Sequence, residues 1–476
     1  MPETMTPADL VKHLREGYDS GLTKPLSWRR SQIHQVQRML VENESRWLEA
    51  LAADVGKPAT EGWTTDIGAI NAELRAMLRH LGRWAEARPV PVPVRLGLGR
   101  ARVVPEPLGL VLVIAPWNYP IHLLILPMAS ALAAGNAVVG KPSEMAPATS
   151  SLMAELVPRY LDERAVAIVE GGPEETTSLL AERWDHIFYT GNGRVGRIVM
   201  EAAAKHLTPV TLELGGKCPV IVDRDVDLDA AARRIVWGKF VNAGQTCLAP
   251  DYVLVHREVE EPLLAKLATT VEAFYGADAR HSRDYARIIN NRHLTRLTGL
   301  LADIDPGRLV TGGTGSAAGA GSSGTEGSAA ADRYLAPTIV RDASWEEPMM
   351  ADEIFGPILP VIAVPDVETA IEQVNAHPKP LALYVFSRRR AIAERVIERT
   401  SSGGACINGT VLQIATTGLP FGGVGASGMG AYHGRYGFDT FSHRKGVLDR
   451  ATWFDPLFAY PPYTKTKDRI LRLLFK

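Results

Sequence analysis

Leu110-Val111-Leu112-Val113-Ile114, followed at once by Ala115-Pro116-Trp117-Asn118-Tyr119-Pro120, is the stretch that decides the fold of this 476-residue chain. Five consecutive apolar residues of this kind are typical of a strand buried on both faces of a parallel sheet. The surrounding segment, residues 107–140, contains no Asp, Glu, Lys or Arg and has the hydropathy of a membrane span. Pro116, Pro120 and Pro127 divide it into short pieces, so we interpret it as buried core instead.

Strands and helices alternate on the carboxyl side of this stretch. The apolar pattern predicts strands over 110–114, 137–140, 165–170 and 186–189, and the intervening helices over 123–134, 150–161, 175–181 and 195–206. Repeated βα units indicate an α/β fold with a doubly wound parallel sheet, whose ligands bind at the carboxyl ends of the strands. Those ends are Trp117-Asn118, Lys141–Glu144 and Gly191–Gly196.

A second α/β pattern runs from residue 219 to about residue 405. It predicts strands over 220–222 and 252–255 and a helix over 227–241, with Asp227 as its N-cap. The first 85 residues have helical periodicity. Alternating prolines from Pro89 to Pro93 then forbid a helix and predict that residues 86–104 leave the body as an extended segment or hairpin.

Two segments have unusual composition. Residues 311–331 consist of Thr, Gly, Ser and Ala apart from Glu326, which predicts a flexible loop. Residues 457–476 form a C-terminal tail whose last ten residues are basic and amphipathic. We favour a helix that docks on its own protein over a helix that touches a membrane surface, and we predict no stable membrane anchor.

The composition excludes several classes of protein. Lys and Arg number 52 against 53 Asp and Glu, so the chain lacks the overall positive charge of a nucleic-acid-binding protein. The three cysteines are too few and too scattered for a disulfide framework, and none has metal-ligand spacing. Residues 1–22 lack the apolar core of a signal peptide. We therefore expect a reduced, cytoplasmic protein without a bound metal.

Gly191-Asn192-Gly193-Arg194-Val195-Gly196 is a GxGxxG motif between a predicted strand and a predicted helix, the context of a dinucleotide site. The helix N-terminus there offers free N–H groups to a phosphate. Glu213 is the nearest acid at the distance expected of a ribose ligand, but its apolar neighbours favour a general base of raised pKa. A structural role in the core stays equally open on this pattern alone.

Asn242-Ala243-Gly244-Gln245-Thr246-Cys247 follows the predicted helix 227–241. Gly244 predicts a sharp turn that would present Cys247 to a cleft, as a nucleophile requires. Cys218 and Cys406 are better interpreted as small packing residues. A structural role for any free cysteine remains open from the pattern alone, and no GxSxG motif indicates a serine hydrolase.

Seven ordered motifs together resemble the aldehyde dehydrogenase superfamily. They are 115–120, Gly140–Glu144, Phe188–Gly191, Leu212–Lys217, Gly244–Cys247, Glu353–Pro357 and Pro420–Gly423. Leu207–Glu213 and Gly430–Gly434 are nearest to the class 3 branch, which oxidises fatty and aromatic aldehydes. The resemblance covers about residues 10–465 and implies an NAD(P)-dependent aldehyde dehydrogenase.

The resemblance implies a role for each matching residue. Cys247 matches the nucleophile that forms a thiohemiacetal and then a thioester, Asn118 the oxyanion donor, and Glu213 the base that activates water. Tyr119 and Thr246 would lie against the substrate. NAD, with NADP as the alternative, would be bound by Trp117, Lys141, Ser143, Glu144, Gly191, Asn192, Gly196, Glu353 and Phe355, whereas Gly193 occupies a position that varies in the family.

The resemblance also implies an architecture. Residues 1–85 and 105–212 would form the dinucleotide-binding domain, residues 213–405 the catalytic domain, and residues 86–104 and 430–450 a β-strand oligomerisation arm of a homodimer. Two other functions stay open: a CoA-acylating relative, against which Glu213 argues, and a non-catalytic structural or binding relative, against which the intact Cys247, Glu213 and Asn118 argue.

Overall fold

Leu110–Ile114 forms an inner strand of a six-stranded sheet in the computed structural model of the chain, which describes residues 5–93, 99–313 and 333–475. All five of its residues are buried, as the unbroken apolar run requires of a strand covered on both faces. The helix that follows, Pro120–Ala134, is buried along its whole length. The segment with the hydropathy of a membrane span is therefore the centre of a water-excluding core.

The strands, in chain order, are β1 (Arg88–Val90), β2 (Gly99–Pro107), β3 (Leu110–Ile114), β4 (Ala137–Lys141), β5 (Val166–Ile168), β6 (His186–Thr190), β7 (Val210–Glu213), β8 (Pro219–Val222), β9 (Tyr252–His256), β10 (Leu309–Thr311), β11 (Thr338–Val340), β12 (Ile358–Val364), β13 (Ala382–Phe386), β14 (Gly404–Ile407), β15 (Gly428–Met429) and β16 (Ser442–Arg450).

The α-helices are α1 (Pro7–Asp19), α2 (Leu26–Glu42), α3 (Glu44–Val55), α4 (Ala59–Gly62), α5 (Ala69–Ala85), α6 (Pro120–Ala134), α7 (Pro147–Tyr160), α8 (Pro173–Ala181), α9 (Gly193–Ala204), α10 (Leu228–Phe240), α11 (Glu260–Tyr275), α12 (Asn291–Gly299), α13 (Pro348–Ala351), α14 (Val367–Asn375), α15 (Arg390–Arg399), α16 (Gly434–Thr440) and α17 (Lys465–Leu474). A π-helical turn, Trp63–Gly68, joins α4 to α5.

Two parallel sheets carry the fold. The first has the order β15-β7-β6-β3-β4-β5, and the second has the order β10-β11-β12-β9-β8-β13-β14. Only the outermost strands β15 and β10 run antiparallel to their neighbours among the described residues. The predicted α/β class with two sheets is confirmed, and the βα alternation on which it rested accounts for the parallel pairing.

A third, antiparallel sheet has the order β1-β2-β16 and is built from the two segments predicted to form an arm. Nine consecutive residues of β2 pair with nine of β16, and most side chains of β16 are exposed. Prolines in β1 and the loop after it exclude a helix, as expected. The division of the chain into domains and an arm stays a prediction.

Some predicted helix and strand boundaries agree with the structure and others differ from it. Helix α6 begins at Pro120 rather than at residue 123, because proline suits the first turn of a helix. Asp227 caps α10 as expected, accepting a hydrogen bond from Ala230 N at 3.0 Å. Thr311 ends β10, and residues 314–331 of the predicted flexible loop lie outside the described residues.

The C-terminal helix α17 differs from the expectation that it docks on the body of the protein. None of its residues is buried, and its ordered contact with the preceding turn is a hydrogen bond from Lys467 Nζ to the carbonyl of Tyr460. In the part of the chain that the structure describes, no helix has both the length and the apolar character needed to cross a bilayer.

The buried side chain of Asn136 joins three parts of the first sheet's core. Its Nδ2 donates to the carbonyls of Ala131 and Phe441 at 3.0 and 2.9 Å, and its Oδ1 accepts from Gly109 N at 2.9 Å. Replacing it would leave buried backbone groups without partners, which destabilises a fold far more than the loss of an exposed hydrogen bond.

We predict that Asn136→Ala lowers the free energy of unfolding by about 3 kcal/mol, on the order of one to two unsatisfied buried groups. Urea unfolding followed by fluorescence measures this. The matched control is Asn375→Ala, which removes an exposed hydrogen bond to the Arg399 carbonyl and should cost about 1 kcal/mol or less. Equal losses in the two variants would contradict the prediction.

Candidate active site

The carboxyl ends of four adjacent parallel strands form one edge of the first sheet. These strands are β7, β6, β3 and β4, and they end at Glu213, Thr190, Ile114 and Lys141. Because parallel strands point the same way, the residues that follow them meet along this edge. The edge therefore gathers the segments predicted to bind a ligand, although they are far apart in the sequence.

The second sheet contributes a strained loop that faces this edge. After α10 the chain enters a turn in which Asn242, Ala243 and Gly244 all have positive φ angles, of 54°, 51° and 74°. This left-handed conformation costs a non-glycine residue on the order of 1 kcal/mol, so surrounding contacts must hold it. Gly244 is required there, because an added Cβ would lie 2.3 Å from the carbonyl oxygen of Gly356.

Hydrogen bonds from both sheets hold the loop. Asn118 Nδ2 donates to the Gln245 carbonyl at 3.0 Å, and Asn242 Nδ2 donates to the carbonyls of Asn118 and Gln245 at 2.9 and 3.1 Å. Gln245 is itself held by its side chain, which donates to the Arg287 carbonyl and accepts from Ile289 N. The residue that precedes Thr246-Cys247 is thus fixed from several directions.

Tyr119 and Thr246 meet as neighbours in the site. Their hydroxyl oxygens lie 2.6 Å apart across a sequence separation of 127 residues. Burial, reinforced by the charge of nearby Glu61, raises the pKa of Tyr119, so the phenol stays neutral and can donate to or accept from Thr246. Asn118, Tyr119, Thr246 and Cys247 therefore come from two loops that pack directly on each other.

Burial also determines the protonation of Cys247 and Glu213. The pKa of the Cys247 thiol is raised by desolvation and by the negative charges of Glu353 and Glu213. The pKa of Glu213, the last residue of β7, is raised well above its ordinary value by desolvation alone. Neither oxygen of Glu213 has a hydrogen-bond partner among the described residues. Desolvation therefore favours the neutral form of each group, and Glu213 can accept a proton only in its ionised form.

Glu353 and Phe355 lie on the far side of the loop. Burial, with the nearby charge of Asp251, raises the pKa of Glu353 to about 8. Its carboxylate packs against Gly215, where an added Cβ would lie 2.0 Å from a carboxylate oxygen. Phe355 makes an edge-on contact with Trp117, with ring centroids 5.4 Å apart. The structure thus brings two predicted cofactor residues together from different sheets.

Lys141, Ser143 and Glu144 follow β4. Lys141 is buried, its Nζ donates to the Pro142 carbonyl at 2.6 Å and lies 3.8 Å from the half-exposed Glu144 carboxylate, and burial lowers its pKa. The Ser143 hydroxyl accepts from Met145 N at 3.2 Å. A lysine beside an acid at the end of a strand suits the hydroxyl groups of a ribose.

The glycine motif lies at the start of α9. Asn192 caps the helix, accepting from Val195 N at 3.0 Å, and an added Cβ at Gly191 would lie 2.2 Å from the Tyr189 hydroxyl. Gly196 packs on Leu214, whereas an added Cβ at Gly193 would make only an ordinary contact with the Arg197 side chain, at 3.7 Å. These residues fit a dinucleotide, since a helix N-terminus, a close-approach glycine, the Lys141–Glu144 pair and the Glu353 carboxyl share one edge.

Sequence reasoning missed several residues that hold this site together. Asn242 and Gln245 lay inside a recognised motif, and only the structure shows that their amides hold the turn. Lys57 belongs to none of the seven motifs, yet its buried Nζ donates to the Asn118 carbonyl at 3.1 Å. The His293 ring lies tilted against the Trp117 ring, with ring centroids 5.5 Å apart. A lone lysine or histidine in the sequence carries no signal for such a contact.

No group of three or more His, Cys, Asp or Glu side chains suited to a metal ion occurs within residues 5–93, 99–313 and 333–475. The three cysteines are free.

A cysteine in a fixed loop, an amide donor beside it, a buried carboxyl and a dinucleotide edge define a class of oxidoreductase that works through a thiol. The model of the aldehyde dehydrogenase family matches residues 9–447, which is most of the chain. The chain belongs to the aldehyde dehydrogenase family, and its enzyme class is that of an NAD(P)-dependent aldehyde dehydrogenase.

Similar proteins point to the class 3 branch within that family. Aldehyde dehydrogenase family 3 member A2 of Mus musculus is 48% identical over 96% of this chain and 92% of its own length. The dimeric NADP-preferring aldehyde dehydrogenase of Rattus norvegicus is 47% identical over 93% of this chain and 94% of its own.

A solved structure of AldH from Staphylococcus aureus in a substrate-bound state superposes with a TM-score of 0.93. It is 39% identical and covers 98% of this chain and 99% of its own. The predicted family and fold are confirmed, whereas the roles of individual residues remain predictions.

Gly244 offers a test of the strained loop. We predict that Gly244→Ala lowers aldehyde-oxidising activity at least about 100-fold, because the added Cβ displaces the loop that carries Cys247. The matched control is Gly276→Ala, whose φ is +80° but whose added Cβ would meet no atom within 4 Å. Initial rates of reduced-cofactor absorbance measure both, and unimpaired activity in Gly244→Ala would refute the prediction.

Proposed function

We propose that this chain oxidises medium- or long-chain aliphatic aldehydes, or aromatic aldehydes, to carboxylic acids through a thioester on Cys247. The observation that carries the proposal is the hydrogen bond from Asn118 Nδ2 to the Gln245 carbonyl, two residues before Cys247. It sets a side-chain amide beside a cysteine, which is the arrangement needed to trap the carbonyl group of an aldehyde.

The first step is attack by the Cys247 sulfur on the carbonyl carbon of the aldehyde. The thiol loses its proton to solvent water as the carbon–sulfur bond forms, so this step does not require Glu213. The developing oxyanion accepts hydrogen bonds from Asn118 Nδ2 and from the Cys247 backbone N–H. Burial strengthens these hydrogen bonds, because the dielectric constant around them is low.

NAD or NADP, when bound at the edge formed by Lys141, Glu144, Gly191 and Glu353, supplies the hydride acceptor for the oxidation. The residues of the chain orient the reacting groups for that transfer. Trp117 and Phe355 close the far side of the site with their aromatic contact. The exposed carboxylate of Glu144 favours NAD, since it would repel a 2′-phosphate, although a similar rat enzyme is named NADP-preferring.

The second half of the reaction releases the acid. Glu213 accepts a proton from water, whose oxygen attacks the thioester carbon, and the Cys247 sulfur leaves as a thiolate. A carboxyl of raised pKa suits this task better than an ordinary glutamate, because its pKa lies closer to that of the water it must activate. A branch that transfers the acyl group to CoA would not need this residue.

We also propose the division of the chain given by the sequence. Residues 1–85 and 105–212 hold the cofactor, residues 213–405 carry Cys247, and residues 86–104 and 430–450 pair two copies into a homodimer. The exposed antiparallel sheet β1-β2-β16 and a rat relative named dimeric support this. Three free cysteines support work in the cytoplasm.

The activity test compares the wild type with Cys247→Ala and Asn118→Ala. We expect turnover with NAD or NADP across aldehydes from acetaldehyde to hexadecanal and benzaldehyde, none in Cys247→Ala, and a loss of about 100- to 1,000-fold in Asn118→Ala. Absorbance of the reduced cofactor is the readout. A wild type that binds cofactor but oxidises aldehydes only when CoA is added would favour the acylating alternative, and no turnover at all would refute the proposal.

The raised pKa of Glu213 predicts the pH dependence. A protonated carboxyl cannot accept a proton from water, so acid release should fall as the pH drops through a pKa well above that of an ordinary glutamate. Glu213→Gln should keep a single burst of reduced cofactor per site and lose the steady-state rate. Stopped-flow absorbance between acidic and alkaline pH measures both. A wild-type rate that declines only in the ordinary glutamate range would contradict this.

A further inference from the structure

Lys57 is a fully buried charge that the reaction does not use. Its side chain and that of Asp66 are both 0% exposed, and they form an ion pair of 2.9 Å. The ammonium group has a partner for each of its three protons: Asp66, the Asn118 carbonyl at 3.1 Å, and the face of the Tyr119 ring, whose centroid is 3.9 Å away.

Local structure directs Lys57 inward. Gly56 ends α3 in the left-handed conformation, and an added Cβ there would lie 2.8 Å from the Arg287 side chain. The chain then turns at Pro58 into α4. Asp66 lies in the π-helical turn Trp63–Gly68, a rare distortion that occurs mostly at functional sites. The two charges therefore reach the core from either side of this short helical segment.

The ion pair is not explained by stability. A buried ion pair loses its hydration, and well-packed apolar residues in its place are often as stable or more so. This ion pair is distinguished by the backbone groups to which its two side chains are hydrogen-bonded. Lys57 donates to the carbonyl of Asn118, while Asp66 Oδ1 accepts from His122 N at 3.3 Å in the first turn of α6. The pair thus holds both ends of the turn from residue 118 to residue 122.

That turn carries two groups of the proposed active site. The Asn118 amide donates to the Gln245 carbonyl, and the Tyr119 hydroxyl is hydrogen-bonded to that of Thr246. The orientation of the turn therefore decides where the side chains of Asn118 and Tyr119 point relative to Cys247. The same helical segment also contacts the other half of the site, because Glu61 accepts from Asn242 N at 2.9 Å in the strained loop. Residues 57–66 therefore contact the oxyanion side and the nucleophile side together.

We propose that Lys57, oriented by Asp66, is a positioning residue that fixes Asn118 for the oxyanion of the aldehyde. This inference rests on the proposed function. Lys57 touches neither substrate nor cofactor and acts through the Asn118 backbone and the Tyr119 ring. A displacement of about 1 Å in a group that binds a transition state can lower a rate about 100-fold, so a small movement of this turn suffices.

The test is a double-mutant cycle between Lys57→Met and Asn118→Ala, with single-turnover formation of reduced cofactor from benzaldehyde as the readout. We expect Lys57→Met to lower that rate about 100-fold with KM nearly unchanged, as for an interaction made in the transition state. In the Asn118→Ala background, Lys57→Met should add little, because the group it positions is gone. Independent, multiplicative effects would overturn the inference.

Three further variants separate positioning from stability. The double variant Lys57→Met/Asp66→Asn removes both buried charges, so that no unpaired charge remains in the core. It replaces Lys57→Met in the experiment if that single variant does not fold. We expect it to be as slow as Lys57→Met. A return to the wild-type rate would overturn the inference. Lys57→Arg, which keeps a cation, should recover part of the rate. Lys266→Met, which breaks the exposed pair with Asp229, should match the wild type.

The reactivity of the Cys247 thiol can also be measured without an aldehyde. Alkylation of Cys247 by iodoacetamide forms no oxyanion, so it should proceed in Lys57→Met as in the wild type. A parallel loss of alkylation would indicate a general collapse of the site and overturn the specific role. A wild type that oxidises no aldehyde would refute the proposed function, whereas wild-type turnover unchanged in Lys57→Met would refute this inference alone.

Discussion

The hydrogen bond from the Asn118 amide to the Gln245 carbonyl is the contact on which the geometry of the site depends. One partner follows a strand of the first sheet, and the other lies in the loop after α10, which packs with the second. Either sheet alone would present half a site, with an amide or a cysteine facing open space. The contact requires both strand edges to approach closely, and a continuous buried core through both sheets enforces that approach.

Hydrogen bonds from other parts of the chain stabilise the strained conformation of the loop around Cys247. Three successive residues with positive φ are held by amides of Asn118, Asn242 and Gln245 and by a carboxylate from the N-terminal helices. Those helices are far from the strand edges in the sequence and carry none of the recognised motifs. Their buried polar groups nevertheless contact both sides of the site, through Glu61 at Asn242 and Lys57 at Asn118.

Burial sets the chemistry of the site as much as contact does. Removing Glu213, Glu353 and Cys247 from water raises the pKa of each and so favours their neutral forms. A carboxylate of raised pKa is a stronger base towards water, and donors aimed at a developing negative charge act strongly where the dielectric constant is low. Desolvation of these groups therefore lowers the stability of the fold and at the same time raises the pKa values on which proton transfer depends.

The sequence by itself determined the α/β class and the strand that lies inside the first sheet, because apolar runs are local signals, and its ordered motifs predict which residues carry the chemistry. Asp227 was identified as a helix cap for the same reason. Only the tertiary structure decided what holds Asn118 and the loop in place. Lys57, Asp66 and Glu61 contact residues 56 to 181 positions away, and no local pattern encodes such contacts. The prediction that α17 docks on the protein was wrong, since none of its residues is buried. Amphipathic spacing shows that a helix has an apolar face, but it does not show what covers that face.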